Sequence, residues 1–320
     1  MINTRKVAII GDGAVGSSIA YTLMLEDFVN EIALIDLNKD KALGDVLDMQ
    51  DGLSFLKTLK VLKSGSYSLV KDSHVVIITA GVAQKEGETR LDLLKRNASI
   101  MASICDGIKP YLSKDSIVIV VSNPCDVLSY LCYKKLGLPS KQVFGSGTVL
   151  DTSRLKTLIS KDTLIDSRNI HTFVIGEHGD SEVALFSSTI VGGLPLDEYC
   201  SKCGKCKNKS TNHFQKLAEE VKNAAYSIIS KKGATNYAIA LATSRIVSSI
   251  LNDENSVLTV STHIDNALNG LIKDVYMSFP CVVNGEGIKK IIHPNYSKEE
   301  MDGLLFSAKQ IKEKIDTLNF

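Results

Sequence analysis

In the stretch IGEHGD, His178 stands between Gly176 and Gly179, directly after an apolar run that reads as a strand. The glycines keep side chains away, so a small molecule can approach an imidazole able to give or take a proton near neutral pH. A histidine used in this way needs a carboxylate to fix its tautomer and to stabilise the imidazolium. DTSR at 151–154 offers Asp151, with Arg154 three residues on, and on a predicted helix the two project from one face. A guanidinium there can grip a substrate carboxylate through two parallel charge-assisted bonds. Together these are the parts of an alcohol-to-ketone hydride transfer. Spacing alone does not bring Asp151 to His178, and a solvated ion pair with Arg154 is the other reading of the same residues.

A hydride needs a carrier, and GDGAVG supplies its binding loop. Gly11, Gly13 and Gly16 directly follow the strand KVAII and open a helix. Gly11 permits the tight turn, Gly13 lets the backbone approach a pyrophosphate, and Gly16 lets helix pack on strand. The pyrophosphate would then lie on the positive end of that helix. Asp36 comes twenty residues after Gly16, at the end of the next strand. Its carboxylate would accept both ribose hydroxyls of NAD and repel the extra phosphate of NADP, so the expected cofactor is NAD.

The elements needed to position these groups are legible as patterns. KVAIIG, EIALID, HVVIITAG and SIVIVVSNP are β-branched runs of the kind buried on both faces of a parallel sheet. Helical stretches lie between them, which predicts an α/β fold, with an N-terminal Rossmann doubly wound parallel sheet over 1–145. Beyond the seam, TVLDTSRLKTLISK reads as a capped helix and NIHTFVIG as a strand. Two longer helices, an antiparallel meander and a C-terminal amphipathic helix follow, giving a C-terminal α+β catalytic domain over 146–320.

With 37 basic and 36 acidic residues the net charge is +1, which steers the protein toward neither nucleic acid nor a membrane surface. No apolar run approaches the roughly 18 residues of a spanning helix. The first residues, MINTRKVAIIGDG, enter a strand without a signal-peptide pattern. Seven cysteines therefore read as reduced thiols, and the expected compartment is the cytoplasm. Cys200, Cys203 and Cys206 form C-x-x-C-x-x-C among lysines, with His213 as a conceivable fourth zinc ligand. The favoured reading is exposed, oxidation-prone thiols, and no metal is expected.

GDGAVG, Asp36, SNP at 122–124, DTSR, GEHGD and KKGAT at 231–235 occur in one order and at consistent spacing. In this the chain resembles the L-lactate/malate dehydrogenase family over nearly its whole length, and within it the bacterial L-lactate branch of fermentative glycolysis. The resemblance implies that His178 is the acid/base, Asp151 its partner and Arg154 the holder of the substrate carboxylate. Arg90 would lie on a closing loop and polarise the carbonyl oxygen, which Asn123 would also bond. Thr235 and Ile239 would line the substrate and nicotinamide pocket. Ala14, Val15, Ala80, Gly81, Ser122 and Asn123 would join Gly11, Gly13, Gly16 and Asp36 around NAD.

The resemblance also gives meaning to Gln84. Malate dehydrogenases carry an arginine at that position, where it meets the second carboxylate of oxaloacetate. Glutamine leaves that charge unpaired, which points to pyruvate and L-lactate, while Lys85 is expected to face solvent. Larger neutral 2-keto acids are an alternative, and a non-catalytic NAD-binding protein is a rival of another class. Bacterial members often bind fructose 1,6-bisphosphate through an arginine and a histidine. Here His171 is present, but Lys156 replaces the arginine and lacks its bidentate fork. An allosteric homotetramer is the implied assembly.

Overall fold

A computed structural model of the chain describes residues 5–83, 87–203 and 211–318. The strands β1 (Lys6–Ile10), β2 (Glu31–Ile35), β3 (Val61–Ser64), β4 (Val75–Ile78), β5 (Ile117–Val120) and β6 (Val143–Gly145) run parallel in the order β3-β2-β1-β4-β5-β6. The residues of β1, β4 and β5 are all buried, which explains why their sequences do not alternate in polarity. The helices α1 (Ala14–Met24), α2 (Lys39–Asp51), α3 (Arg90–Ile108) and α4 (Cys125–Leu136) complete this half. Strand order reverses between β1 and β4, and that switch opens a crevice beyond their carboxyl ends.

The second half contributes α5 (Val149–Thr163), β7 (Ile170–His171), β8 (Val174–Ile175), β9 (Val183–Ala184), β10 (Ile190–Val191), β11 (Leu194–Pro195) and α6 (Leu196–Cys203). After these come α7 (Thr211–Lys232), α8 (Tyr237–Leu251), β12 (Ser256–Ala267), β13 (Ile272–Asn284), β14 (Gly287–Ile291) and α9 (Lys298–Asp316). The expected single strand NIHTFVIG is instead two short pieces, β7 and β8. β12 and β13 are the two expected strands of the antiparallel meander, β14 adds a third, and the meander joins β6 through Ser261 opposite Gly145 to make one nine-stranded sheet. Gly145 makes that junction possible. A Cβ there would come within 2.5 Å of the Cys125 sulfur and 3.0 Å of the Ser261 Cβ.

A smaller core forms where α5 and α7 pack against β7, β8, β10 and α6, with Leu155, Ile159, Leu217 and Val221 at its centre. Cys200 belongs to it and is buried, which corrects the expectation of an exposed thiol: it occupies the apolar face of α6. The side chains of Cys203 and Cys206 lie outside the described residues. His213 Nε2 lies 2.5 Å from Asp162 Oδ2. No helix among the described residues is long and apolar enough to cross a membrane.

Candidate active site

The crevice at the ends of β1, β2 and β4 has a volume of about 730 Å³. Gly11, Gly13, Asp36, Ala80 and Gly81 all line it. Gly11 adopts φ +105°, a conformation that disfavours any side chain, and a Cβ on Gly16 would lie 1.8 Å from the Gly11 carbonyl oxygen. Space around Gly13 is open. Gly13 and Ala14 are exposed at the amino end of α1, with Val15 half-buried behind them. Asp36 accepts hydrogen bonds from the main-chain N–H groups of Asp12 (2.6 Å) and Asn38 (2.8 Å), which aims its carboxylate along the crevice edge. The Ser122 hydroxyl donates to the Ala80 carbonyl at 2.7 Å and ties the β4 and β5 ends together. A bare glycine cradle on a helix amino end, with an acid at the far edge, fits a dinucleotide. Gly16→Ala is expected to weaken NADH binding by about tenfold or more, because the new Cβ must push the pyrophosphate loop out of place. Calorimetric titration checks this, and unchanged affinity would contradict it.

Two threonines bring His178 and Asp151 together. Thr148 Oγ1 donates to the Val174 carbonyl at 2.5 Å, and the Val174 N–H donates to Thr152 Oγ1 at 2.9 Å. The amino end of α5 is thus fastened to β8, and Asp151 in its first turn faces the loop that follows β8. Asp151 Oδ2 lies 2.6 Å from His178 Nδ1. Its other oxygen accepts from Arg154 Nη1 at 2.8 Å. The expected trio is therefore one connected unit. With Nδ1–H directed at Asp151, the tautomer inferred from this bond leaves Nε2 for a substrate.

The His178 main-chain N–H donates to Asp126 Oδ2 at 2.8 Å, and the Ser261 hydroxyl donates to Asp126 Oδ1 at 2.6 Å. Asp126 on α4 thereby holds the catalytic loop from the other half of the molecule. Glu177 bonds the Ser181 hydroxyl and pairs with Lys314 of α9, while its N–H donates to Ser307 at 2.7 Å. Three elements thus grip a loop whose glycines would otherwise leave it loose.

Burial opposes ionisation throughout this site, and the direction of each shift depends on the partners. Burial alone would raise the Asp151 carboxyl, yet His178 and Arg154 hold it below its ordinary range. Burial alone would lower His178, yet the Asp151 carboxylate, with Asp126 and Glu182 behind it, raises the imidazole to about 9. A quarter of its side chain (24 %) is still exposed to solvent. Asp126 is pushed up to about 6 by burial. Glu182, raised to about 8 by burial and then by Asp151, offers an oxygen within 4.8 Å of ligand atoms of both Asp151 and His178. At neutral pH the site therefore holds an imidazolium beside one firmly ionised carboxylate.

Arg90 is the first residue of α3, which Thr89 caps through its side chain. Its guanidinium is 79 % exposed and pairs with Asp180 at 2.7 Å, while Tyr226 bonds the other Asp180 oxygen at 3.0 Å. Arg90 thus reaches the loop of His178, two residues beyond the histidine, without touching the histidine itself. Asn123 is exposed, and its main-chain carbonyl accepts from the Asn97 side chain at 3.0 Å. Thr235 and Ile239 are half-buried at the entry to α8. Gln84 and Lys85 lie outside the described residues. Lys156 is half-buried and His171 exposed, and no hydrogen bond or ion pair joins them among the described residues. Sequence reading passed over Asp126, Glu182, Glu177 and Asp180. The last two stand inside GEHGD itself, so their motif was the available signal; nothing local marks Asp126 or Glu182.

Residues 5–145 match the family model of the lactate/malate dehydrogenase NAD binding domain. Residues 148–319 match the lactate/malate dehydrogenase alpha/beta C-terminal domain. L-lactate dehydrogenase 1 of Clostridium acetobutylicum is 47 % identical over 319 residues, spanning 99 % of this chain and all of that one. An L-lactate dehydrogenase of Clostridium botulinum (strain Loch Maree / Type A3) is 48 % identical, over 99 % of this chain and 97 % of that one. Among solved structures, the ligand-bound minor L-lactate dehydrogenase of Enterococcus mundtii superposes with a TM-score of 0.94 at 41 % identity, covering 99 % of each chain. With its glycine cradle, Asp36 at the crevice edge and its connected His178–Asp151–Arg154 unit, the chain belongs to the lactate/malate dehydrogenase family and carries that family's NAD-binding domain.

Proposed function

We propose that the protein catalyses the reversible, NAD-dependent interconversion of pyruvate and L-lactate. The observation that carries this reading is the contact chain from Arg154 through Asp151 to His178, in a chain that also holds a dinucleotide crevice. Relatives bearing the name L-lactate dehydrogenase at 47–48 % identity support it. When bound, NADH supplies the hydride. Arg154 receives the substrate carboxylate and fixes the keto carbon in place. His178, kept protonated by Asp151, donates from Nε2 to the carbonyl oxygen and regains that proton in the reverse direction. Arg90 leaves Asp180 to lie against the same oxygen, joined by Asn123, and its arrival excludes water. Thr235 and Ile239 border the pocket. We read the division between cofactor and catalytic domains at 145/146.

Specificity rests on Gln84. Pyruvate brings one negative charge, and Arg154 meets it. Oxaloacetate brings a second, and an unpaired buried charge costs on the order of 3–5 kcal/mol, or about 10²–10⁴ in rate. Fructose 1,6-bisphosphate is the proposed activator. In its support, Lys156 is a half-buried cation whose ammonium is lowered by burial alone and has no ion-pair partner among the described residues. A homotetramer accords with the apolar surface of Tyr21, Leu25, Leu43, Leu47, Tyr237 and Leu241 on α1, α2 and α8, which further copies would cover. The five described cysteines are all thiols, in keeping with work in the cytoplasm.

Oxidation of NADH with pyruvate, oxaloacetate and 2-ketoisocaproate, each with and without fructose 1,6-bisphosphate, tests the proposal. Pyruvate is expected to lead oxaloacetate by roughly 10² or more in kcat/KM. A lead for oxaloacetate would overturn the reading of Gln84. A lead for 2-ketoisocaproate would move the activity to larger 2-hydroxy acids.

A further inference from the structure

The end of the cofactor crevice that holds Asp36 also contains Lys39 and Lys41. Two lysines beside a ribose acid would ordinarily attract the 2′-phosphate of NADP, because an ammonium is a natural partner for a phosphate. Lys41 is not available for that. Its ammonium lies 2.9 Å from Asp12 and 2.8 Å from Asp45, one turn along α2. The Asp12 side chain is fully buried, while Lys41 remains partly exposed beside it. One cation facing two ionised carboxylates leaves a formal charge of −1. Asp12 also acts through its main chain, since its N–H is one of the two donors that orient Asp36. The second Asp12 oxygen is buried and has no hydrogen-bond partner.

We infer that Asp12 and Asp45 are cofactor-specificity residues: by holding and over-neutralising Lys41 they withhold its ammonium from the 2′-phosphate, leaving Lys39 as the lysine of that end not so clamped, and so share with Asp36 the selection of NAD over NADP. This rests on the reading that Asp36 meets the adenosine ribose. It follows that removing Asp36 alone relieves repulsion without freeing Lys41. Release of the clamp as well should raise NADP(H) affinity further. Asp12 itself is raised to about 6, mainly by burial with Lys41 opposing, so the clamp is fully charged above neutral pH and loosens on acidification.

The test is calorimetric titration of the full-length protein with NADH and NADPH, with pyruvate kinetics in parallel. The variants are Asp36→Ser, Asp45→Asn, their double, and the double combined with Lys41→Met. Asp45 is partly exposed on a helix, so its single variant should fold. Asp12→Asn, which keeps the main-chain donor to Asp36, is expected to shift NADPH affinity in the same direction as Asp45→Asn. In the double variant the gain in NADPH affinity should exceed the product of the single gains by about fivefold or more, as expected of coupled neighbours. Lys41→Met should erase that excess. An additive double, or an excess that survives Lys41→Met, overturns the inference while leaving Asp36 at the ribose. Unchanged NADH affinity in Asp36→Ser overturns the placement of Asp36, and the inference with it.

Discussion

Asp151→Asn is expected to lower kcat for pyruvate reduction by about 10²–10³, within the usual worth of a positioned general acid. It is also expected to move the alkaline limb of the pH profile down from about 9, the value that the Asp151 carboxylate gives His178. Reduction uses the imidazolium, so activity in that direction falls as pH rises through the pKa of His178. Lactate oxidation uses the neutral imidazole and rises across the same range. In the amide variant burial remains while the facing charge is gone. Burial favours the neutral ring while Asp126 and Glu182 still favour its charged form, so the limb should fall well below 9, toward the ordinary histidine value of 6.5. The amide can still accept from His178 Nδ1–H through its oxygen, which separates loss of charge from loss of geometry. Initial rates from pH 5 to 10 in both directions check this. A limb that stays near 9 would mean that Asp151 does not set the histidine's proton affinity.

Arg154→Lys should act on binding more than on chemistry. A guanidinium can meet a carboxylate with two parallel bonds while another of its five donors stays on Asp151, now at 2.8 Å. An ammonium on a flexible stem cannot satisfy both partners in fixed geometry. KM for pyruvate is expected to rise by about 10²–10³, the scale of losing a buried, hydrogen-bonded charge contact, with a smaller fall in kcat. NADH affinity should stay near that of the wild type, because Arg154 does not line the dinucleotide crevice. Steady-state kinetics alongside NADH titration separates these quantities. An unchanged KM would remove Arg154 from substrate recognition.

What could be read from the chain follows the range of the physics involved. The glycine cradle is a local matter of backbone conformation and contact distance, so GDGAVG and the acid after β2 were legible by spacing. The Asp151–Arg154 pair is likewise local, at i and i+3 on one helix. The Asp151–His178 contact spans 27 residues and exists because Thr148 and Thr152 bind the strand before the histidine; no periodicity encodes that. Asp126 and Glu182 matter through burial, which a sequence window cannot measure. Likewise Cys200 reads as exposed from its lysine neighbours but occupies the apolar side of a helix only eight residues long. Short strands such as β3, β6 and β14 were passed over because three to five residues carry too little pattern to separate strand from loop.

The central claim is that one carboxylate keeps His178 protonated as the acid of the reaction. Nitrogen-15 NMR of the histidine side chains, titrated in the NADH-bound protein and assigned with a His178→Gln variant, tests it most directly. The account predicts a His178 imidazolium that persists to about pH 9 with its Nδ1 proton in a strong hydrogen bond. A His178 that loses its proton at or below 6.5 would contradict it.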